Sequence, residues 1–555
     1  MGRDSADLDP LEVLYRGCAH VLGPLDEPTC VLAPEASLRL WVPALGQAEI
    51  QTDGAPWRPA AGEKLEGGSL ISPAPPPRPR QLAVRVAGDP RPPWRLRLRL
   101  LTQASRDERS RLIKIAQDLL KEGGAQPKAA AAEALRGELM SVRDPAVRSS
   151  IGSTIARLRW DLGQGDLSAA SESFRLAIAE HRGWRDFKSE IDDATLLFRL
   201  LFYDLEDVDG ARRILESLPE SAAGHMESEY LLAYTRGSLA RRTGDVRGAL
   251  GGLRRAADLA RRFGDLQWRI NAEQLLALQL TALGQHGKAE SLFQALLGES
   301  ESLRACRKGQ LLNAAAWQGL LAREAGRATP DPLPLLLRAS AALDECPASD
   351  SSREERLNVE LNMALGHLQN GSVEEAGRHL QAATEITEQP PLRLLLWWRE
   401  LQARVVMSRG QLQEAARLYR DLAELSRRLS APGAAWRADV GEARALSEAG
   451  RIEEALAAFA AGEARLDAAA RRVPVQVSRA RWQAVRPAGL HDYQALLLAP
   501  RLDALAFRVA RQARARANQG LATRARIAEL TPEERRRWNV AVLEYQKELR
   551  ALDGA

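Results

Sequence analysis

A glycine followed five residues later by an alanine recurs along this 555-residue chain with a step of about forty residues. The pairs are Gly124–Ala129, Gly165–Ala170, Gly244–Ala249, Gly284–Ala289, Gly371–Ala376, Gly410–Ala415 and Gly450–Ala455. Glu206–Ala211 and Gly326 keep the step but break the motif. The nine beats lie 41, 41, 38, 40, 42, 45, 39 and 40 residues apart. A fixed period of this length demands a stack of like units, each burying its apolar face on its neighbours. Folds of that kind bind partners more readily than they perform chemistry.

Each beat sits between two apolar stretches of helical periodicity, as in WRINAEQLLALQLTALGQHGKAESLFQALL around Gly284. Glycine suits the exit from a helix, where the chain commonly passes through a left-handed residue. The alanine falls on the first turn of the next helix, where a small side chain lets antiparallel helices approach. Four and seven residues beyond it come pairs such as Phe174/Ala177, Leu253/Ala256, Phe293/Leu296, Leu380/Ala383 and Tyr419/Leu422. That spacing puts all three on one helix face. Seven residues before the glycine another small residue recurs: Gly237, Ala277, Gly319, Ala364, Ala403 and Ala443; Leu158 and Gln117 are exceptions.

Small, glycine, alanine and aromatic at these offsets resemble the tetratricopeptide repeat over residues 107–465. The period departs from the family's ~34 residues and implies longer helices. HEAT or armadillo units also have a step of ~40–47 residues, but the small–Gly–Ala spacing argues against them. The predicted fold is mostly α: a tetratricopeptide-like α-solenoid of about eight to nine helix pairs, with a small all-β region before it.

That region covers residues 1–102. SLRLWV (37–42), QAEIQT (47–52), QLAVRV (81–86) and WRLRLRL (94–100) alternate like strands. Asp53-Gly54, Gly67-Gly68 and the proline cluster from Pro73 to Pro79 separate them. In the last strand Arg95, Arg97 and Arg99 share one face and Leu96, Leu98 and Leu100 the other, as in a half-buried strand. A β-sandwich or barrel is expected, preceded by a short helix through Leu11–His20. Residues 103–142 read as a divergent capping helix pair, 143–490 as the solenoid with an irregular insertion near 328–335, and 491–555 as connector helices. Within the solenoid, 473–489 reads as a degraded last pair.

Composition narrows the function classes. No apolar run reaches the ~18 residues of a membrane span, and the acidic start MGRDSADLDP is no signal peptide. Cys18, Cys30, Cys306 and Cys346 show no paired spacing, so a reduced, cytoplasmic setting is expected. Residues 1–110 carry 14 basic and 14 acidic groups, and 111–500 carry 52 and 52. The whole net charge of +5 therefore lies in 501–555. A neutral solenoid is a poor trap for phosphate, so a nucleic-acid partner is not expected. The one basic alternative is a regulator using Arg508, Arg511, Arg514, Arg516, Arg524 and Arg526.

The C-terminal run LLLAPRLDALAFRVARQARARANQGLATRA (496–525), followed by LTPEERRRWNVAVLEYQKELRAL (530–552), resembles the connector of bacterial CHAT-domain, caspase-like proteins. AFRVARQARARA (506–517) carries that likeness. The resemblance implies a peptidase domain with a histidine–cysteine dyad after it. None follows within this sequence, so the expectation is a regulatory part working with a separate caspase-like peptidase.

Catalytic signatures are missing from the sequence. The seven histidines have no metal-ligand spacing, and no cofactor or metal is expected. His367 and His379 are placed on the two helices of one pair, in an interhelical or surface role. RACRKG around Cys306 breaks the caspase pattern with an inserted lysine. GQHGKAE around Lys288 lacks phosphate-loop spacing and its hydroxyl residue. The chain reads as a non-enzymatic scaffold or sensor that grips a protein or peptide.

One register supports that reading. Thirteen residues before the beat glycine stand Asn271, Asn313 and Asn358, three of the chain's seven asparagines, and then Trp397. In tetratricopeptide arrays the first helix of each pair lines the groove, so amides there could bond an extended backbone and Trp397 could anchor a side chain. The alternatives are helix caps or solvated polar residues for the asparagines and core for the tryptophan.

Overall fold

The computed structural model describes residues 13–471 apart from 17, 23–27, 33–37, 44–46, 61, 66–67, 74–79, 88, 90, 92, 101–102, 121–124, 140, 143, 161–166, 206, 244, 348–349, 388–389 and 429–431. Beyond them it describes 488–498 and short stretches between 507 and 541. The chain divides into two compact units, residues 1–242 with 248–273 and residues 243–247 with 274–555.

The first unit opens with ten short strands. They are β1 (Leu14–Arg16), β2 (His20–Leu22), β3 (Thr29–Leu32), β4 (Arg39–Pro43) and β5 (Ala48–Thr52). β6 (Arg58–Pro59), β7 (Gly62–Leu65), β8 (Gly68–Ile71), β9 (Arg80–Val86) and β10 (Trp94–Leu100) follow. One sheet runs β1-β4-β8-β7 and the other β2-β3-β10-β9-β5-β6, antiparallel except where β3 meets β10. Leu40, Val42 and Ile71 from the first sheet share a core with Leu82, Val84, Leu96 and Leu98 from the second, which makes a sandwich. Leu96 and Leu98 are buried while Arg95 and Arg97 are exposed, as the alternation predicts.

The sandwich core is continuous with helices. Phe174, Ile191, Phe198 and Leu215 belong to the same apolar cluster. On the other face of the four-stranded sheet, Leu14, Trp41 and Leu70 pack with Met226, Tyr230 and Phe263. Apolar faces on both sides make this small sheet a filler within the unit.

Helices then follow in antiparallel pairs. In the first unit these include α1 (Gln103–Leu120) with α2 (Ala125–Leu139), α3 (Pro145–Trp160) with α4 (Leu167–Gly183), and α5 (Phe187–Arg199) with α6 (Val208–Glu216). A π-helical turn, Leu200–Asp204, extends α5. α7 (Met226–Arg242) pairs with α8 (Val246–Arg262), and α9 (Leu266–Ala282) precedes α10 (His286–Gly298). The second unit continues with α11 (Ala305–Glu324) and α12 (Leu333–Asp344), then α13 (Asp350–Gln369) and α14 (Val373–Ile386). α15 (Leu392–Ser408) with α16 (Leu412–Arg428), α17 (Pro432–Glu448) with α18 (Ile452–Arg471), and α19 (Ala488–Leu498) follow. This is the helical-hairpin solenoid of the tetratricopeptide type.

The beat has the geometry expected of it. Gly284, Gly326, Gly371, Gly410 and Gly450 all adopt φ between 72° and 77°, the left-handed exit from a first helix. Gly124, Gly165, Glu206 and Gly244 lie outside the described residues. Ala170, Ala211, Ala249, Ala289, Ala376, Ala415 and Ala455 are each 0% exposed. Ala129 is exposed instead, in keeping with the divergence of the first pair. The insertion near 328 is a loop to Pro332; α12 opens at Leu333 with Pro334 in its first turn, where the missing N–H is not needed.

Two expectations are corrected. The stretch expected as a helix from Leu11 to His20 is extended in its described part: β1 pairs with β4, and β2 begins at His20. Leu14 and Tyr15 alternate onto opposite sides of the sheet, a choice that a short apolar run cannot announce by itself. The four cysteines are not free thiols: Cys18 bonds Cys30 and Cys306 bonds Cys346. Their spacings of 12 and 40 residues match strand and hairpin geometry, not a local motif. The degraded pair expected over 473–489 lies almost wholly outside the described residues.

Candidate first-helix binding face

α11, α13, α15 and α17 are the first helices of successive pairs in the second unit. On α13, Glu355, Asn358 and Asn362 stand at i, i+3 and i+7 and so share one face. Glu355 is half-buried, and the side chains of Asn358 and, from α11, Asn313 lie near enough to act on its carboxyl. Burial raises its carboxyl above the usual range, opposed by the Arg307 guanidinium and by those two amides. Asn313 is 3% exposed and accepts from Asn362 Nδ2 at 2.8 Å. Arg307 donates to Gln310 at 2.9 Å. The result is a polar knot between the first halves of two neighbouring first helices.

An aromatic step follows. Trp317, one turn beyond Asn313, meets Trp397 of α15 edge-on at 5.3 Å between ring centroids. Both are half-buried. The Arg404 guanidinium sits 5.6 Å from the Trp397 ring centre. Arg404 also binds Glu400 at 2.7 Å and Glu324 at 2.5 Å, and Arg437 of α17 reaches Glu400 at 2.8 Å. Burial alone would raise the Glu400 carboxyl, but the two arginines hold it below the usual range. Burial likewise works against the Arg404 charge, and Glu324 and Glu400 outweigh it.

The sequence register maps onto this face unevenly. Asn313 and Asn358 both lie near Glu355 and lower its carboxyl pKa. Trp397 lies farther along, at the aromatic step, and Trp398 beside it turns into the core. Asn271 belongs to the other unit, half-buried, where its carbonyl accepts from Gln267 one turn earlier at 3.2 Å. The register continues to Arg437, thirteen residues before Gly450, which the asparagine pattern alone did not single out. Glu355, Asn362 and Arg307 were also missed. Their signal was present: Glu355 and Asn362 flank Asn358 at helical offsets on α13.

The first unit holds the other concentration of titratable groups. Asp186 caps α5 by accepting from the Ser189 N–H at 3.3 Å, and it holds His20 Nδ1 of β2 at 2.8 Å. The Val21 N–H also donates to it. Burial raises this carboxyl, and the bonds to His20 and Ser189 bring it below the ordinary value. Nearby, Ser153, His181 and Asp193 resemble a hydrolytic triad in composition. The geometry differs: the Ser153 hydroxyl donates to Asp193 Oδ2 at 2.7 Å, and His181 Nε2 meets the same oxygen at 2.9 Å. One ring nitrogen faces both partners, so the serine proton has no relay. The cluster is a clasp among α3, α4 and α5.

His367 and His379 stack with centroids 5.0 Å apart, and Glu360 bonds His379 at 2.7 Å. Burial first, and then the second imidazole, lower the His367 pKa. Among the described residues no cluster of three or more His, Cys, Asp or Glu can hold a metal ion, and no helix is long and apolar enough to cross a membrane.

No family model matches this chain. No curated protein matches it either. Among solved structures it is similar to the apo form of the quorum sensor NprR from B. thuringiensis, at 16% identity and a TM-score of 0.44, over 66% of this chain and 100% of that one. It is also similar to a Rap protein complexed with Competence and Sporulation Factor, at 12% identity and a TM-score of 0.44, over 70% of this chain and 99% of that one. Neither likeness supplies a function for this chain. The likeness to CHAT connectors finds no support in these comparisons, and of residues 506–517 only the helical stretch 507–511 is described.

Proposed function

We propose that the second unit binds an extended segment of a protein partner along the face of α11, α13, α15 and α17, without catalysis. The observation that carries this reading is the Asn362–Asn313 amide bond at 2.8 Å joining α13 to α11, with the edge-on Trp317–Trp397 pair one turn farther along. Amides in such a place can exchange their bond with each other for bonds to a peptide backbone, and the half-buried Trp317–Trp397 pair offers an apolar step beside them. A partner is bound through its backbone at the polar knot and through one large side chain at the tryptophans. Asn271 belongs to the proposal only as a residue of the same register.

Random-peptide display on the immobilised full chain tests this. Hydrogen exchange of the complex with an enriched peptide should show new protection in 305–324, 350–369 and 392–408. Protection confined to the second helices, or a display with no enrichment, rejects the reading. Joint action with a caspase-like peptidase rests on the connector likeness alone. An unrelated gene neighbourhood in the source genome counts against it.

A further inference from the structure

The two disulfides differ in where they sit. Cys18 is buried in the turn before β2, and Cys30 lies fully buried on β3, inside the sandwich. Cys346 lies just past the end of α12, and Cys306 is half-exposed on the first turn of α11. A thiolate needs access to a sulfur in order to exchange with it, so the second pair is the reactive one.

That pair is built into the polar knot. Arg307, whose charge acts on Glu355, is the next residue after Cys306, and Asn313 stands two turns farther along α11. Cys346 opens the short connection into α13, the helix that carries Glu355 and Asn358. The same connection is pinned by Arg356, which donates to the Leu343 carbonyl at 2.8 Å, and by Ser352, which donates to the Pro347 carbonyl at 3.0 Å. The covalent bond therefore ties the start of α11 to Cys346, shortly before α13 begins at Asp350. Those two helix ends are the walls of the proposed site.

We propose that Cys306–Cys346 is a redox tie that sets the affinity of the first-helix face: bonded, it holds Arg307 and Asn313 against Glu355 and Asn358; reduced, it loosens them. The inference rests on the binding reading given above. Chemically, a thiolate of an external dithiol attacks the accessible Cys306 sulfur and forms a mixed disulfide, with the Cys346 thiolate leaving and taking a proton. The dithiol's second thiolate then releases Cys306 as a thiol. Two electrons and two protons pass to the protein, and the dithiol becomes a disulfide. Re-oxidation by a low-molecular-weight disulfide reverses both steps. Pre-organised groups bind better than mobile ones, so the bonded state is the tight one.

The experiment uses the full chain. Limited dithiothreitol treatment followed by alkylation and peptide mass mapping should label Cys306 and Cys346 while Cys18 and Cys30 stay protected. Hydrogen exchange should then quicken in 305–313 and 350–362, with circular dichroism unchanged. Affinity for a display-selected peptide should fall at least fivefold and return on re-oxidation with glutathione disulfide. The Cys306→Ser/Cys346→Ser variant should behave like the reduced protein and ignore dithiothreitol. Unchanged exchange and affinity in reduced protein overturn the redox tie and leave the binding face standing. Quickened exchange with no peptide ever enriched rejects the binding reading and retains a redox-sensitive hairpin end. Labelling of Cys18 and Cys30 first overturns the assignment of the reactive pair.

Discussion

Two adjacent glycines on α8 carry opposite predictions. Around Gly251 nothing lies within 4 Å of the position a Cβ would take, so alanine there meets only solvent. Alanine in an exposed helix interior is better than glycine by about 0.5–1 kcal/mol, so Gly251→Ala stabilises the hairpin. Around Gly252 the same atom would lie 2.7 Å from the Ala233 carbonyl oxygen and 2.9 Å from the Gly237 Cα and N on α7. All three are backbone atoms and cannot rotate away. Ordinary contact begins about half an ångström farther out, so the two helices must separate along that contact. Overpacking of this kind costs roughly 1–3 kcal/mol, and the helix-propensity gain offsets less than half of the upper figure. The net expectation for Gly252→Ala is a loss of about 1–2 kcal/mol. Native-state hydrogen exchange of 226–262 measures both variants against wild type. Slower exchange in Gly251→Ala with faster exchange in Gly252→Ala is expected. The same sign for both would refute the reading that α7 and α8 are in backbone contact where Gly252 faces Gly237.

Further tests address the charged groups. Asp186→Asn should detach β2 from α5 and destabilise the first unit by roughly 3 kcal/mol, the scale of breaking a buried pair; exchange at 20–22 and 187–199 reads this. The folded-state carboxyl of Asp186 titrates below the ordinary value. Its contribution is therefore present above the unfolded pKa and is lost as pH falls through the folded one, so the same segments should loosen in acid. Glu355 has the opposite sign. Its raised pKa means stability present below the unfolded value and lost as pH rises through the folded one, and Glu355→Gln should remove that dependence in a melting-temperature profile. Glu400→Ala leaves Arg404 with Glu324 and frees the largely solvated Arg437, so it should cost about 1–3 kcal/mol, the scale of lost hydrogen bonds to a charged group, in chemical denaturation of the second unit.

The repeat was legible because its physics is local: a left-handed exit glycine and a fully buried alanine five residues later recur together at Gly284, Gly371, Gly410 and Gly450. Gly284, Gly371, Gly410 and Gly450 could be read directly from spacing. The strands with long alternation, β4, β5, β9 and β10, were legible for the same reason. β1 and β2 were not, since three-residue strands show no period, and their register is fixed by partners far along the chain such as Trp41 and Val31. The disulfides were hidden likewise, because strand pairing and the hairpin bring the cysteines together. In the candidate face the register found Asn313, Asn358 and Trp397 as separate beats. It could not show that Glu355 lies near two of them, since α13 carries several other charged residues.

The most direct measurement is the affinity of one display-selected peptide for wild type, Glu355→Ala, Asn358→Ala, Trp397→Ala and Arg378→Ala. Arg378 lies on a second helix with its side chain 72% exposed. Weakening of about tenfold or more is expected for each of the first three variants, on the scale of one lost hot-spot contact, and wild-type affinity for Arg378→Ala. Wild-type affinity in Glu355→Ala and Asn358→Ala, with helicity intact, would contradict the proposed binding face.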